Sequence, residues 1–292
     1  MKPAAFEYDD PQTVDEALDL LARHGDECKV LAGGQSLVPL MNFRLARPGR
    51  LIDINGVGEL SGIQRDGGTL VIGAMTRHAQ VERSDVIAES WPLLHEAIGW
   101  VGHAQIRNRG TVGGSVAHAD PAAELPAAFA ALDARFRVRS RRGYRVLGWQ
   151  EFFVAEFTSA LAPDELVMAV EVPAQDHATG SAFVEFARRH GDFALGGAAV
   201  TVRLGRDGGC EAATIALLAA GPAPARAEAA ETLLRGAKVD EPAIKAAAAE
   251  ATRALHPTSD IHGSTEYRLR LLRAMTERAL TTAAQRARRS GP

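Results

Sequence analysis

Two short glycine pairs constrain this chain more than anything else in it. Gly33 and Gly34 stand in the run Leu31, Ala32, Gly33, Gly34, Gln35, Ser36, Leu37, and Gly113 and Gly114 stand in the run Thr111, Val112, Gly113, Gly114, Ser115. Each pair follows an apolar or β-branched residue and has a serine close behind it. The backbone can therefore bend sharply there and offer bare N–H groups and a hydroxyl to an anion. Either pair alone reads as an ordinary tight turn, because glycine is the default turn residue. Two of such similar composition read as the halves of one diphosphate cradle.

The first pair has the setting such a cradle needs. Thr13 and Glu16 form a capping box, Val14, Ala17, Leu18 and Leu21 make an apolar helical stripe, and Gly25 ends the helix. Residues 29–32 then read as a short strand entering the glycines, and residues 36–41 as a short helix or turn. A strand delivering the chain to a glycine turn at a helix start is an anion-binding arrangement. Residues 50–54 return as another strand.

A second α+β unit is expected over residues 56–173. Asp66, Gly67 and Gly68 turn between two strands, and Ser84 caps a helix that runs through Trp91 to Ile98. Arg135, Arg137 and Arg139 alternate with Phe136 and Val138 as the polar and buried faces of a strand. Residues 126–132 read as a helix, and Leu166–Val172 as a strand stopped by Pro173. The glycines from Gly56 to Gly62 echo a dinucleotide fingerprint, but that fingerprint needs a helix to begin in the turn. Residues 63–72 read instead as a hairpin.

A boundary falls in the polar stretch 174–180. Three alternating strands are expected over 182–187, 195–204 and 210–218, then helices over 225–234 and 242–255. A last helix carries Tyr267, Leu271, Met275 and Leu280 at core-packing spacing.

Composition narrows the function classes. The chain has 292 residues, 46% hydrophobic and 24% charged, with a net charge of −3, so it has room for two domains and no concentrated basic surface for nucleic acid. Its two cysteines, Cys28 and Cys210, stand in no metal-ligand spacing, and a zinc site, an iron–sulfur cluster and a disulfide framework are not expected. His78, His103, His118 and His190 form no ligand pattern either. No signal core or membrane span is visible, so the expected location is the cytoplasm. No nucleophile elbow or distinct catalytic acid pair appears, and no catalytic residue is assigned.

The second glycine run, preceded by Gln105, Ile106, Arg107 and Asn108 and followed by Asp120, Pro121, Glu124, Leu125 and Pro126, resembles the flavin-binding medium subunit of the molybdenum hydroxylases, the xanthine and carbon monoxide dehydrogenase family. The resemblance covers essentially the whole chain, including Asp260 to Arg268 near the C-terminus. It implies an α+β fold: an FAD-binding domain of the vanillyl-alcohol-oxidase type over residues 1–175, in subdomains of about 1–55 and 56–175. A flavoprotein C-terminal domain of a small antiparallel sheet with helices follows over 176–292.

What the resemblance implies for the site is specific. Ala32 to Ser36, flanked by Leu31 and Leu37, and Thr111 to Ser115 would hold the diphosphate and ribityl parts of a non-covalent FAD. Val101 would line the flavin pocket, and Val167 would lie near the adenine. Glu124 stands where the family usually has Asp and would accept a hydrogen bond from a ribityl hydroxyl; the other reading is a helix N-terminal acid favoured by the macrodipole. Phe193, in Arg188 to Ala194, would cover one flavin face or sit in the core. Glu185 stands where the family often has Lys. In such complexes a large subunit with molybdopterin oxidises the substrate and a small subunit with [2Fe–2S] clusters relays electrons to FAD, in a dimer of heterotrimers. A self-contained flavin oxidoreductase of the same fold is the alternative.

Overall fold

The computed structural model describes residues 1–290, and three larger sheets organise them, beside a two-stranded hairpin of Phe153–Ala155 and Thr158–Ser159. The first is parallel, with Arg50–Asp53 between Glu7–Asp9 and Cys28–Leu31. Helix Val14–His24 covers it with Val14, Ala17, Leu18 and Leu21, all buried. Thr13 caps that helix by accepting the Glu16 N–H at 3.2 Å, while the Glu16 carboxylate accepts from Gln12 N–H at 2.7 Å, one residue earlier than a capping box requires.

The second sheet has five antiparallel strands, in the order Ile63–Asp66, Thr69–Gly73, Leu166–Val172, Arg135–Ser140 and Gly143–Gly148. Its edge strand Gly143–Gly148 was not expected from sequence, for a physical reason: most of its residues are exposed, so no apolar alternation marks it. The helix expected from Ser84 to Ile98 is two helices, Asp85–Ser90 and Pro92–Trp100. Pro92 disfavours helical backbone in the residue before it, and Trp91 accordingly sits at φ −134°, ψ 59°.

The third sheet is antiparallel, Thr179–Phe186, Gly196–Leu204, Cys210–Leu218 and the short Ala225–Arg226. Residues 225–226 are thus strand, and the helix expected there begins only at Glu228–Leu234. The long helix Thr265–Ser290 lies on this sheet so closely that a Cβ on Gly180 would stand 2.0 Å from the Ala283 carbonyl oxygen. Its core face carries Leu272, Met275, Ala279, Leu280 and Ala283. Tyr267 and Leu271 are only partly buried, because Arg268 takes the inward position and donates to Leu195 O at 3.2 Å and to Asp260 at 2.7 Å.

Helix Glu124–Ala131 joins the two larger sheets, and every one of its residues is buried. The largest apolar cluster runs continuously from Phe136 and Val170 of the second sheet, through Phe129 of this helix, to Phe183 and Leu218 of the third. Whatever polar group this helix begins with is therefore carried into the seam between the sheets.

Candidate functional site

The two glycine runs meet backbone to backbone. A Cβ on Gly33 would stand 2.4 Å from Arg109 O and 2.8 Å from Gly110 Cα, and one on Gly114 would lie 3.7 Å from Ala32 Cβ. Gly34 holds a φ of +73°, which a β-branched side chain would resist. The N–H groups of Gly33, Gly34, Gln35, Ser36 and Leu37 donate to no acceptor among the described residues. Consecutive open amides at a turn form a concavity for an anion.

The second run is different. Val112 N–H donates to Thr76 O at 3.0 Å, Gly113 N–H to Ala74 O at 2.7 Å and Ser115 N–H to Thr111 O at 3.0 Å. Gly114 N–H donates to the Thr111 hydroxyl oxygen at 3.1 Å, so Thr111 is the cap of helix Val112–His118. The expectation of bare amides is met along the first run, whereas in the second only Thr111 N–H donates to no acceptor among the described residues. Besides that amide, what remains there for a ligand is the hydroxyls of Thr111 and Ser115 and the close approach that Gly114 permits. Gly113 is glycine for packing, since a Cβ there would lie 2.6 Å from Ala74 Cβ.

Arg77 and Asn55, which sequence reasoning passed over, fasten the runs together. The Arg77 guanidinium donates to Arg109 O and, at 2.5 Å, to Asn55 Oδ1. Asn55 Nδ2 in turn donates to Ala32 O at 2.9 Å. Asp53 braces Asn55 and accepts from the Tyr8 hydroxyl at 2.7 Å. Burial and the nearby Arg109 charge draw Arg77 below its ordinary value, and among the described residues neither arginine has a carboxylate ion-pair partner. The cradle's surroundings are thus positive.

Beside the second run, Arg107 pairs with Glu82 at 2.8 Å and donates to the carbonyls of Val101 at 3.1 Å and Gly102 at 3.2 Å. Val101, half-buried, is thereby fixed at the end of helix Pro92–Trp100. The segment carrying Phe193 lies on this turn: a Cβ on Gly191 would reach 2.3 Å from the His103 ring, and the His190 ring lies 5.3 Å from that of Trp100. Phe193 itself is 66% exposed, so it is not a core residue. Val167 is the reverse, 4% exposed with its side chain in the core.

Two of the histidines are held down by burial. His78 Nε2–H donates to Thr111 O at 2.9 Å, and burial pushes its imidazole down to about 4, so the ring is neutral in the physiological range. Burial lowers His118 as well. Asp120 is a turn residue, accepting from Ala122 N–H at 2.9 Å. Glu124 is buried, and that burial pushes its carboxyl up to about 7.

Comparison with known proteins identifies the family. Residues 4–175 match the family described as FAD binding domain in molybdopterin dehydrogenase, and residues 181–283 match the CO dehydrogenase flavoprotein C-terminal domain. The chain is 47% identical to the 6-hydroxypseudooxynicotine dehydrogenase complex subunit alpha of Paenarthrobacter nicotinovorans, over 99% of this chain and 97% of that one. It is 41% identical to the caffeine dehydrogenase subunit beta of Pseudomonas sp. strain CBB1, over 98% and 97%. A solved structure of carbon monoxide dehydrogenase from Hydrogenophaga pseudoflava superposes with a TM-score of 0.96 at 39% identity, covering 98% of this chain and 99% of that one. The chain therefore belongs to the family of FAD-binding medium subunits of the multi-subunit molybdenum hydroxylases, the oxidoreductases that include the carbon monoxide and xanthine dehydrogenases.

Proposed function

We propose that this chain is the electron-transfer subunit of a cytoplasmic three-subunit hydroxylase, taking electrons from [2Fe–2S] clusters in a small partner and passing them to an external acceptor. The molybdopterin-bearing large partner oxidises the substrate. The observation that carries this is the run of open amides from Gly33 to Leu37, set against the second glycine run beside two arginines without carboxylate partners. Ala32 to Ser36 hold the FAD diphosphate, with the Thr111 and Ser115 hydroxyls completing the cradle. Leu31, Leu37 and Val112 set the loop walls. Glu124 accepts from the ribityl chain, and Val101 and Phe193 border the ring. The FAD-binding part ends at residue 175, with a subdomain division near residue 55.

FAD, when bound, supplies the redox chemistry; the chain's residues position it and exclude water. No base or nucleophile is needed for that, which agrees with the neutral, hydrogen-bonded His78. The relatives are named for substrates as unlike as caffeine, 6-hydroxypseudooxynicotine and carbon monoxide. Chains this similar serving such different molecules support a substrate pocket in another subunit.

Two results are expected. Co-expression with the two partner subunits should give one assembly with equal copies of all three chains, doubled by symmetry, on size analysis. A medium chain that elutes alone would contradict it. Phe193→Ala should change the fluorescence or reduction potential of bound flavin while moving stability by no more than about 0.5 kcal/mol, as for other exposed positions. A large loss of stability with an unchanged flavin spectrum would remove Phe193 from the site.

A further inference from the structure

The two glycine runs lie in backbone contact, yet among the described residues no hydrogen bond joins residues 31–37 directly to residues 109–115. One line of side-chain bonds makes the tie instead. The Arg77 guanidinium donates to Arg109 O on one side and, at 2.5 Å, to Asn55 Oδ1 on the other, and Asn55 Nδ2 donates onward to Ala32 O at 2.9 Å. Ala32 follows strand Cys28–Leu31 and Asn55 comes just after strand Arg50–Asp53, so the line ends on two neighbouring strand ends of the first sheet. Arg77 itself comes just after Thr69–Gly73 of the second sheet. The line therefore bridges the two sheets at the cradle.

Both ends of the bridge are anchored. Arg77 and Thr111 form an isolated antiparallel bridge, His78 N–H donates to Gly110 O at 3.0 Å, and the His78 ring bonds Thr111 O at 2.9 Å. The start of helix His78–Glu82 is thus part of the second run's scaffold. At the other end Asp53 Oδ1 accepts from the Asn55 backbone N–H at 2.9 Å and from its side chain at 2.5 Å, which sets the Asn55 oxygen toward Arg77 and its nitrogen toward Ala32. Away from the cradle the two sheets are held by other means. Leu60, Met75 and Leu166 share an apolar cluster with Val14, Leu18 and Ile52, and Arg139 pairs with Asp15 at 2.7 Å. The Arg77 bridge is the tie at the end where the amides of Gly33 to Leu37 lie open.

We propose that Arg77 is a positioning residue for the cofactor: working through Asn55 and the Arg109 carbonyl, it sets the spacing of the two glycine runs that hold the FAD diphosphate. This rests on the reading of those runs as the diphosphate cradle. A planar guanidinium presents its donors in a fixed fork, so one side chain holds two acceptors at a set separation; a lysine ammonium on its flexible stem does not. Without the bridge the runs are free to part while the apolar cluster keeps the sheets together. Binding must then supply the ordering that the bridge provides in advance, and affinity falls.

The test is fluorescence titration of the apo-proteins with FAD, beside their chemical denaturation, on the wild type, Asn55→Ala, Arg77→Lys, Arg77→Met and the double variant Arg77→Met with Asn55→Ala. Asn55→Ala and Arg77→Lys both keep the positive charge and lose the bridge, and each should bind FAD about tenfold more weakly than the wild type. Arg77→Met should lose at least as much. The double variant should stay within about twofold of Arg77→Met, because both substitutions cut one bridge. Apo-protein stability should change little in all four. Wild-type affinity in Asn55→Ala or in Arg77→Lys, or losses that add in the double variant, would each overturn the proposal. So would a loss of affinity matched by an equal loss of apo-protein stability. Should Arg77→Met not fold, Asn55→Ala and Arg77→Lys decide the matter by the same outcomes. A wild type that takes no FAD would instead overturn the assignment of the cradle.

Discussion

Gly33→Ala should fold and yet bind FAD about 10- to 100-fold more weakly than the wild type, the equivalent of about 1–3 kcal/mol of overpacking. The new Cβ would stand 2.4 Å from Arg109 O and 2.8 Å from Gly110 Cα, and backbone cannot rotate out of the way as a side chain can. The contact is relieved only by parting the two glycine runs, which misplaces the open amides of Gly33 to Leu37. Gly113→Ala is the instructive contrast. Its obstacle is Ala74 at 2.6 Å, in a buried place where Gly113 N–H already donates to Ala74 O, so the expected loss is in thermal stability first. Gly114→Ala meets only the Thr111 hydroxyl at 2.8 Å, and its effect should be the smaller of the two on folding. Fluorescence titration with FAD and thermal melts on the three variants separate these outcomes. Wild-type FAD affinity in Gly33→Ala would show that the first run is not the cradle.

What was legible in the sequence was local. The Thr13 cap, the apolar stripe of the first helix, the hairpin around Gly67 and the three longer strands of the third sheet follow from capping, periodicity and turn chemistry. Both glycine runs were visible, but their different states were not. Whether an amide is open depends on what stands opposite it, and for Val112 and Gly113 the acceptors are Thr76 and Ala74, residues nearly forty positions away. Arg77 and Asn55 were missed for the same reason, since their partners Arg109 and Ala32 are remote in sequence and no residue type announces the contact. The resemblance implies Val167 as a site residue, and no periodicity in the sequence could have added that its side chain is in the core. The break at Trp91 was available from Pro92 alone.

The second large effect concerns the chain in isolation. Loaded with FAD, it should oxidise no organic substrate and turn over only in the presence of its partners, an all-or-none difference. Iron–sulfur clusters of this kind take four cysteine ligands each, and the chain has two cysteines, Cys28 and Cys210, both buried and apart from each other in sequence. On the proposed function, the electron source therefore lies in another subunit. His78 is buried and neutral, and Asp120 is held in a turn by Ala122 N–H. A self-contained flavin oxidoreductase would need a group suited to taking a proton from a substrate carbon beside the ring.

Anaerobic mixing of the FAD-loaded chain with the chemically reduced [2Fe–2S] subunit, followed by absorbance, tests this most directly. The flavin band should bleach as the clusters reoxidise, with electrons conserved between them. The same chain mixed alone with caffeine, carbon monoxide or other candidate substrates should stay oxidised. Bleaching of the isolated chain by an organic substrate, or a flavin that stays oxidised beside reduced clusters, would contradict its role as the complex's electron carrier.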